Sequence, residues 1–268
     1  MKIKRLMCTA LAAVTVLAVA YRGHFSRAKA EDTSLQKVLE AGQLIVGLDV
    51  GFPPMSFADE KGEIVGFDCD MAQEVCKRLG VALVKRPIKW VARENELYNG
   101  TINCIVSLPI TPALNKVVCL TEPYIKDDLV FVVPGSSSAR WLKDLKGKSV
   151  GVQYCSTAQR ALISTNIRKD VMVVLLDDNL SILLQLREEK LDAGLVDSLS
   201  AYHFIYSSSE RYFILTDSLG EEKLAIGFKR NDRKLRDRVQ QIIGEMNADG
   251  TLGEISKKWF GSNITIVR

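Results

Sequence analysis

The sequence has few of the residues that build metal and hydrolase sites. It contains only two histidines, one of which, His203, lies after residue 30, and its six cysteines include no C-x-x-C pair. Structural zinc sites are built mainly from these two residue types, and a Ser-His-Asp triad needs a histidine as its base. We therefore expect no metal site and no catalytic residues in this chain.

Glycine-rich phosphate-binding loops are also missing. The Gly-Lys-Ser at 147–149 has Leu142 where a P-loop requires glycine, and Gly47 and Gly51 do not form a dinucleotide-binding G-x-G-x-x-G fingerprint. No G-x-S-x-G nucleophile elbow is present. These absences argue against an enzyme that depends on a nucleotide or on a serine nucleophile, and we expect no cofactor.

Acidic residues are absent from the first 30 positions, which hold six of the 36 basic residues. The remaining 238 residues therefore carry 30 basic and 32 acidic side chains, so the net charge of +4 comes from the start of the chain. A nucleic-acid-binding protein needs a basic face on its folded part. We expect no nucleic-acid partner.

Residues 1–30 have the three parts of a secretory signal peptide. A basic start at residues 2–5 is followed by an uncharged, mostly apolar run at 6–21, and Ala-Lys-Ala at 28–30 supplies the small residues of a cleavage site. We expect export to the periplasm or the extracellular space, with cleavage after about residue 30. The alternative is an uncleaved leader that anchors the protein to the membrane.

Hydrophobic strands and amphipathic helices alternate after the leader, which is typical of parallel β-α-β units. The alternation breaks at the polar residues 135–138 and then resumes, so the sequence predicts two α/β lobes between which the chain crosses twice. The predicted strands are 44–50, 81–88, 102–108, 129–133, 149–154, 171–176, 191–196, 212–215 and 224–228. The predicted helices are 33–41, 68–79, 93–98, 156–164, 179–190, 199–205, 235–248 and 252–259.

Five cysteines follow the leader: Cys69, Cys76, Cys104, Cys119 and Cys155. A chain of this length does not need disulfides to form a core. We expect buried or partly buried thiols, with at most one or two disulfides that the spacing cannot assign.

Six segments carry a resemblance to a known family. They are 44–57 (LIVGLDVGFPPMSF), 62–80 (GEIVGFDCDMAQEVCKRLG), 111–124, 142–152 (LKDLKGKSVGV), 191–197 (LDAGLVD) and 247–261 (NADGTLGEISKKWFG). In order and spacing they resemble the extracellular solute-binding proteins, family 3, of polar amino-acid ABC importers. The resemblance implies an α/β, two-lobed periplasmic-binding-protein-like fold of type II, with two crossover strands. Lobe 1 would span 31–127 plus 225–268, and lobe 2 would span 128–224.

The resemblance also implies a function without catalysis. Such a protein clamps a small ligand between its lobes, and contacts from both lobes favour the closed state, which a membrane permease then recognises. A bound amino acid needs an arginine for its carboxylate, an acid for its ammonium group and aromatic walls for its side chain. We expect a monomer whose partners are the ligand and the permease.

Site residues follow from the same resemblance. Phe52 and Trp90 match aromatic walls, Asp197 matches the acid for the α-ammonium group, and Asp49 matches a position that touches the ligand in some binders of basic amino acids. Loop packing for Phe52, a core position for Trp90 and a strand-end cap for Asp197 are the alternatives. The complete expected set is Asp49, Phe52, Phe57, Trp90, Ser107, Thr111, Ser156, Thr157 and Asp197.

Three of these residues need a comment. Ser156 and Thr157 match a G-T-T segment at a helix start, where backbone amides can hold a carboxylate, although Ser156 can also be a plain N-cap. Cys155 stands where the family has glycine, which limits how closely the backbone approaches a ligand. Phe57 is equally compatible with a place in the core.

Leu114 departs from the family pattern. The family usually has T-x-x-R after the third strand, with the arginine on the ligand carboxylate, whereas residues 111–114 are Thr-Pro-Ala-Leu, and Pro109 replaces an expected hydrogen-bond donor. Hydrogen bonds to a charged group contribute roughly 1.5–3 kcal/mol each, so the loss of a bidentate arginine would cost on the order of a hundredfold in affinity. Lys89, Arg93 and Arg160 are the candidate substitutes.

Two other functions stay open. The missing arginine favours a diverged binder or sensor of a solute that is not an amino acid. A further alternative is an enzyme similar to the exported cyclohexadienyl dehydratases, in which Asp197 would assist loss of water and carbon dioxide. Prephenate is a dicarboxylate, however, and would need more cations than the sequence places in the cleft.

Overall fold

A computed structural model describes residues 31–268, and the predicted signal peptide lies outside them. Most strands coincide with the hydrophobic runs that predicted them, but three short strands between residues 51 and 65 and another at 118–120 were not predicted. The strands are β1 (Gln43–Leu48), β2 (Gly51–Phe52), β3 (Ser56–Ala58), β4 (Ile64–Val65), β5 (Ala82–Pro87), β6 (Cys104–Pro109), β7 (Val118–Leu120), β8 (Ile125–Pro134), β9 (Ser149–Gln153), β10 (Met172–Leu176), β11 (Ala193–Asp197) and β12 (Tyr212–Lys229).

The helices follow the apolar stripes of the sequence. In the second helix, for example, Met71 and Val75 are four residues apart on one face and buried, and the helix ends at Gly80, whose φ of 74° suits a residue without a side chain. The helices are α1 (Ser34–Ala41), α2 (Phe67–Leu79), α3 (Arg93–Asn99), α4 (Leu114–Val117), α5 (Thr157–Ile163), α6 (Asn179–Arg187), α7 (Ser198–Ser207), α8 (Arg233–Ala248) and α9 (Thr251–Phe260).

Nine of the described strands form one sheet with the order β10-β9-β11-β8-β12-β6-β1-β5, and β7 pairs with β12. The pairs among β1, β5 and β6 and among β9, β10 and β11 are parallel, whereas β8 and β12 pair with each other and with their neighbours in antiparallel fashion. Two parallel blocks are thus joined by two long strands, as the alternating pattern predicted.

Strand β12 differs from the prediction, which placed two separate strands at 212–215 and 224–228. It runs unbroken through 18 residues because its polar middle stays paired with β8: Ser218 lies opposite Val130 and Glu222 opposite Asp127, with register shifts between. Hydrophobic alternation does not predict a strand in this polar middle, because these residues lie at the junction of the lobes and not in either core.

The buried hydrophobic side chains separate into groups on the two sides of this junction. On one side, residues from the start and end of the chain pack together, among them Leu48, Phe67, Phe228 and Ile243. On the other side, the groups contain only residues between 129 and 215. The first group is therefore discontinuous in sequence and the others are continuous, while the predicted division into lobes stays a prediction.

All five cysteines of residues 31–268 are free thiols. Burial raises the pKa of Cys69 to about 12 and that of Cys76 to about 11, and it raises the pKa of Cys104 further still. These thiols are therefore protonated and behave as small apolar groups. Within the same residues, no helix combines the length and the apolar character needed to cross a membrane.

Candidate ligand-binding site

A small cavity lies between the two lobes, next to the carboxyl ends of β1, β9 and β11. Its volume is about 20 Å³, which is room for about one water molecule. The first lobe lines it with Asp49, Phe52, Trp90 and Ser107, and the second lobe with Ser156, Thr157 and Asp197. Seven of the nine predicted residues are therefore brought together, at the strand ends where open α/β sheets commonly bind ligands.

The lobes touch beside this cavity. Gln153 Nε2, at the end of β9, donates a hydrogen bond to Asp49 Oδ2 over 2.8 Å. Gly51 lies so close to Asp178 that a Cβ added to Gly51 would be 2.2 Å from the Cβ of Asp178. Because an amino acid is far larger than the cavity, a ligand of that size can enter only if the lobes separate.

Asp49 is the acid that the first lobe contributes. The backbone N–H of Gly51 donates to Asp49 Oδ1 over 3.2 Å, and Gln153 donates to Oδ2. Burial raises the pKa of Asp49 to about 6 against the effect of these hydrogen bonds, and the charges of Asp178 and Asp197 raise it further. A cation placed beside Asp49 would lower this pKa and favour the ionised form.

The second lobe and the crossover strand add two more acids. Asn179 Nδ2 donates to Asp197 Oδ2 over 2.6 Å, and burial raises the pKa of Asp197. Burial also raises the pKa of Glu222 to about 7, with a further increase from Asp197, while a hydrogen bond from the Thr157 hydroxyl and the charge of Arg160 act in the opposite direction. Both carboxylates line the cavity.

The cavity is acidic as a whole. Asp49, Asp197 and Glu222 line it, and no lysine, arginine or histidine of residues 31–268 does so. Carboxylates that share a desolvated site repel one another, and a cation between them relieves this repulsion. The site is therefore suited to a ligand that carries positive charge.

Two aromatic rings form walls of the cavity. Phe52 and Trp90 line it while being 7% and 9% exposed. Trp90 therefore occupies a core position that also borders the cavity. Arg93 stacks on the Trp90 ring with its Cζ 4.5 Å from the ring centroid and donates from Nη1 to the Trp90 carbonyl over 2.6 Å. Its Nη2 lies 3.0 Å from Glu94 Oε1, whereas its Nε is buried without a hydrogen-bond partner.

Comparison with known proteins shows the family of this chain. The sequence profile of bacterial extracellular solute-binding proteins, family 3, matches residues 44–262. The chain belongs to this family. The L-cystine-binding protein TcyJ of Escherichia coli (strain K12) is 30% identical over 268 residues, which cover 99% of this chain and 100% of TcyJ. The lysine/arginine/ornithine-binding periplasmic protein of the same strain is 30% identical over 233 residues, 82% of this chain and 88% of that protein.

Solved structures confirm the two-lobed fold of this solute-binding protein. Tv2483 bound to L-arginine superposes with a TM-score of 0.83 at 28% identity, covering 88% of this chain and 98% of that one. A substrate-binding protein of an ABC uptake transporter from Streptococcus pneumoniae, with bound histidine, gives a TM-score of 0.83 at 27% identity and covers 88% and 99%. The predicted fold class is therefore confirmed.

A buried hydrogen-bond network fixes Ser107 of this solute-binding protein. Ser107 Oγ donates to Asp68 Oδ2 over 2.5 Å, and Tyr124 Oη donates to Asp68 Oδ1 over 2.8 Å and accepts from the Ser107 N–H over 2.8 Å. Burial raises the pKa of Asp68 to about 7 against both hydroxyl donors. The Ser107 backbone has a φ of 51°, which is uncommon for serine and is held here by these contacts.

Ser156 has the N-cap role that the sequence left open. It accepts a hydrogen bond from the Gln159 N–H over 3.0 Å at the start of α5, and its hydroxyl donates to the Gln153 carbonyl over 2.8 Å. Since Ser156 also lines the cavity, the capping and cleft positions coincide.

Phe57 and Thr111 are not among the residues that line the cavity. The Phe57 ring centroid lies 5.6 Å from that of His203 and 5.9 Å from that of Trp259, so Phe57 packs between other rings. Thr111 Oγ1 accepts from the Leu114 N–H over 3.2 Å at the start of α4. Leu114 itself is buried in the hydrophobic group that includes Trp90, so apolar packing takes the place of the expected arginine.

Five lining residues were not predicted: Pro109, Gln153, Asn179, Glu222 and Leu224. Gln153 ends β9 and Asn179 begins α6, so the rule that strand ends gather at one edge could have found both. Glu222 gave no such signal, because its polar surroundings resemble a loop in the sequence.

The candidate substitutes for the missing arginine lie outside the cavity lining. Lys89 lines a neighbouring cavity of about 280 Å³, which shares Asp49 and Trp90 with the first one. Arg160 is exposed on α5 and acts on Glu222 through its charge.

Proposed function

We propose that this solute-binding protein is the substrate-binding component of an ABC importer and that it holds a polar amino acid or a related small solute between its lobes. One observation carries the proposal: acids and aromatic rings from both lobes converge on a single cavity at the junction. Asp49, Phe52 and Trp90 approach it from one side and Asp197 with Asn179 from the other.

The acidic lining supports a ligand with at least one ammonium group. Relatives named for L-cystine and for lysine, arginine and ornithine, and solved structures that hold L-arginine and histidine, all concern ligands of this kind. Charge-assisted hydrogen bonds from an ammonium group to Asp197 and Asp49 would offset the desolvation of both carboxylates.

Closure of the lobes provides the mechanism. With the lobes apart, the ligand reaches the acids and rings of one lobe, and the second lobe then adds contacts that exist only in the closed state. The Gln153–Asp49 hydrogen bond and the close approach of Gly51 and Asp178 are contacts of that closed state. A permease that recognises it would receive the ligand, which fits the extracellular and periplasmic setting of the family.

Catalysis on this fold is the second candidate and has weaker support. A dehydratase acting on prephenate would have to place two carboxylates of its substrate beside Asp49, Asp197 and Glu222, with no cation of residues 31–268 on the cavity lining. Like charges in a desolvated site oppose such binding.

A ligand screen tests the proposal. Isothermal titration of the exported protein against the twenty amino acids, cystine and their decarboxylated analogues should give saturable binding of at least one compound, and Asp197→Ala should abolish it. Asp128→Ala is the matched control because Asp128 is an exposed acid on the crossover strand β8. Absence of binding across the panel, or equal loss in both variants, would contradict the proposal, and turnover of prephenate would select the second candidate.

A further inference from the structure

We infer that Glu222 supplies the site with a carboxylate of the protein's own, and that the ligand is a cationic amine without a carboxylate group. This inference rests on the proposed function, since it concerns the ligand of the same cavity. It follows from what the lining offers to each half of an amino acid: acceptors for the ammonium group, and no basic side chain of residues 31–268 for the carboxylate.

The position of Glu222 is the first step. It lies on β12 opposite Asp127 of β8, so the crossover strands themselves hold its backbone. Its carboxylate lines the cavity, as does Thr157. A ligand carboxylate at this position would therefore face the charge of Glu222.

The remaining side-chain donors on the second-lobe side are the next step. Both amide hydrogens of Gln153 are used, because Nε2 donates to Asp49 Oδ2 over 2.8 Å and to the Asp177 carbonyl over 3.0 Å. The Ser156 hydroxyl donates to the Gln153 carbonyl. Asn179 Nδ2 donates to Asp197 Oδ2.

The described part of the first lobe adds no basic side chain to the cavity lining. The Ser107 hydroxyl donates to Asp68 in the buried network, and Leu114 fills an apolar position where an arginine would have been a donor. Arg93, which does not line the cavity, donates to the Trp90 carbonyl and pairs with Glu94, while its Nε has no partner. Four hydroxyl and amide side chains of the lining thus already donate to protein acceptors: Ser107, Gln153, Ser156 and Asn179.

The charges on the cavity lining favour the same class of ligand. A zwitterion would bring its own carboxylate into a desolvated site with Asp49, Asp197 and Glu222, and this carboxylate would lose its hydration without gaining a cationic partner on the lining. An amine or diamine brings only positive charge, which three carboxylates accept, while Phe52 and Trp90 can cover its methylene groups.

Matched pairs of ligands that differ only in the carboxylate provide the test. Titration of the exported protein with arginine and agmatine, lysine and cadaverine, ornithine and putrescine, histidine and histamine, and cystine and cystamine compares each amino acid with its amine. We expect at least one amine to bind about tenfold or more tightly than its parent amino acid. If amino acids bind and each is preferred to its amine, this inference is wrong and the proposed function stands. If none of the ten compounds binds but another amino acid of the full panel does, this inference is wrong and the proposed function stands, whereas absence of binding across the full panel contradicts both.

Two variants separate Glu222 from its neighbours. Glu222→Gln keeps the size of the side chain and removes the charge, so we expect affinity for the preferred amine to fall about tenfold or more and the ratio of amine to amino-acid affinity to fall with it. Glu221→Gln is the matched control, because Glu221 is exposed on the same strand and pairs with Lys126. An unchanged ratio in Glu222→Gln, with a folded protein by thermal unfolding, would overturn the role of Glu222.

Discussion

Asp68 in the first lobe and the acids at the cavity are the same chemical group in two different settings. Asp68 is completely buried and accepts hydrogen bonds from two hydroxyl groups, those of Ser107 and Tyr124. Asp197 accepts one side-chain hydrogen bond, from Asn179, and its charge acts on Glu222, so these two acids share their surroundings. The difference teaches that burial alone does not mark a binding residue, and the binding role proposed for Asp197 and Glu222 rests on their charge at the junction of the lobes.

Replacement of Asp68 should give the largest change in stability. Asp68→Ala leaves the buried hydroxyls of Ser107 and Tyr124 without their acceptor, so we expect the free energy of unfolding to fall by about 2 kcal/mol. Urea unfolding of the purified protein measures this. The exposed Asp237→Ala should stay within about 0.5 kcal/mol of the parent protein, and an equally small effect for Asp68→Ala would remove the distinction between the two settings.

The pH dependence of stability should be smaller and of opposite sign to ordinary acid denaturation. Burial raises the pKa of Asp49 to about 6 and those of Asp68 and Glu222 to about 7, above their ordinary values near 4. The folded chain then binds more protons than the unfolded chain between pH 4 and 7, so stability falls as the pH rises through this range. We expect Tm without ligand to be about 3 °C lower at pH 8 than at pH 5.

Surface acids act against this trend only weakly. Ion pairs and hydrogen bonds lower the pKa of the partly exposed Glu74 and of the exposed Glu188, which favours the folded state at higher pH. A Tm that rises steadily from pH 5 to pH 8 would show that the raised pKa values of the buried acids do not govern stability.

Neutralisation of Asp197 should have the smallest effect on the fold and still prevent binding. In Asp197→Asn the side-chain oxygen can accept the hydrogen bond from Asn179, while the buried charge and its repulsion of Asp127 are removed. We expect Tm without ligand at pH 8 to rise by about 2 °C, and the ligand-induced increase in Tm to disappear. Thermal unfolding with and without ligand checks both, and retained stabilisation by ligand would mean that Asp197 is not a ligand contact.

The positions of most helices and strands could be predicted from the sequence because burial imposes a regular pattern on both lobes. Strand β1 (predicted at 44–50, found at Gln43–Leu48) and helix α8 (predicted at 235–248, found at Arg233–Ala248) show this. The centre of β12 could not be predicted, since a strand between two lobes needs no alternation of apolar residues.

The site divides in the same way. Asp49 follows strand β1 and Asp197 ends strand β11, so the local hydrophobic pattern predicts that both lie at the edge of the sheet. The family resemblance also indicated both residues. Glu222 reaches the cavity only through the pairing of β12 with β8, which is a contact between residues almost one hundred positions apart. No local pattern contains that information.

The close approach of Gly51 and Asp178 has a consequence for the whole conformational cycle. A single added methyl group at residue 51 would collide with Asp178. The added group would keep the two lobes apart without changing any acid or ring that lines the cavity. A single carbon atom added at residue 51 would therefore disfavour the closed state on which the proposed capture of a ligand depends.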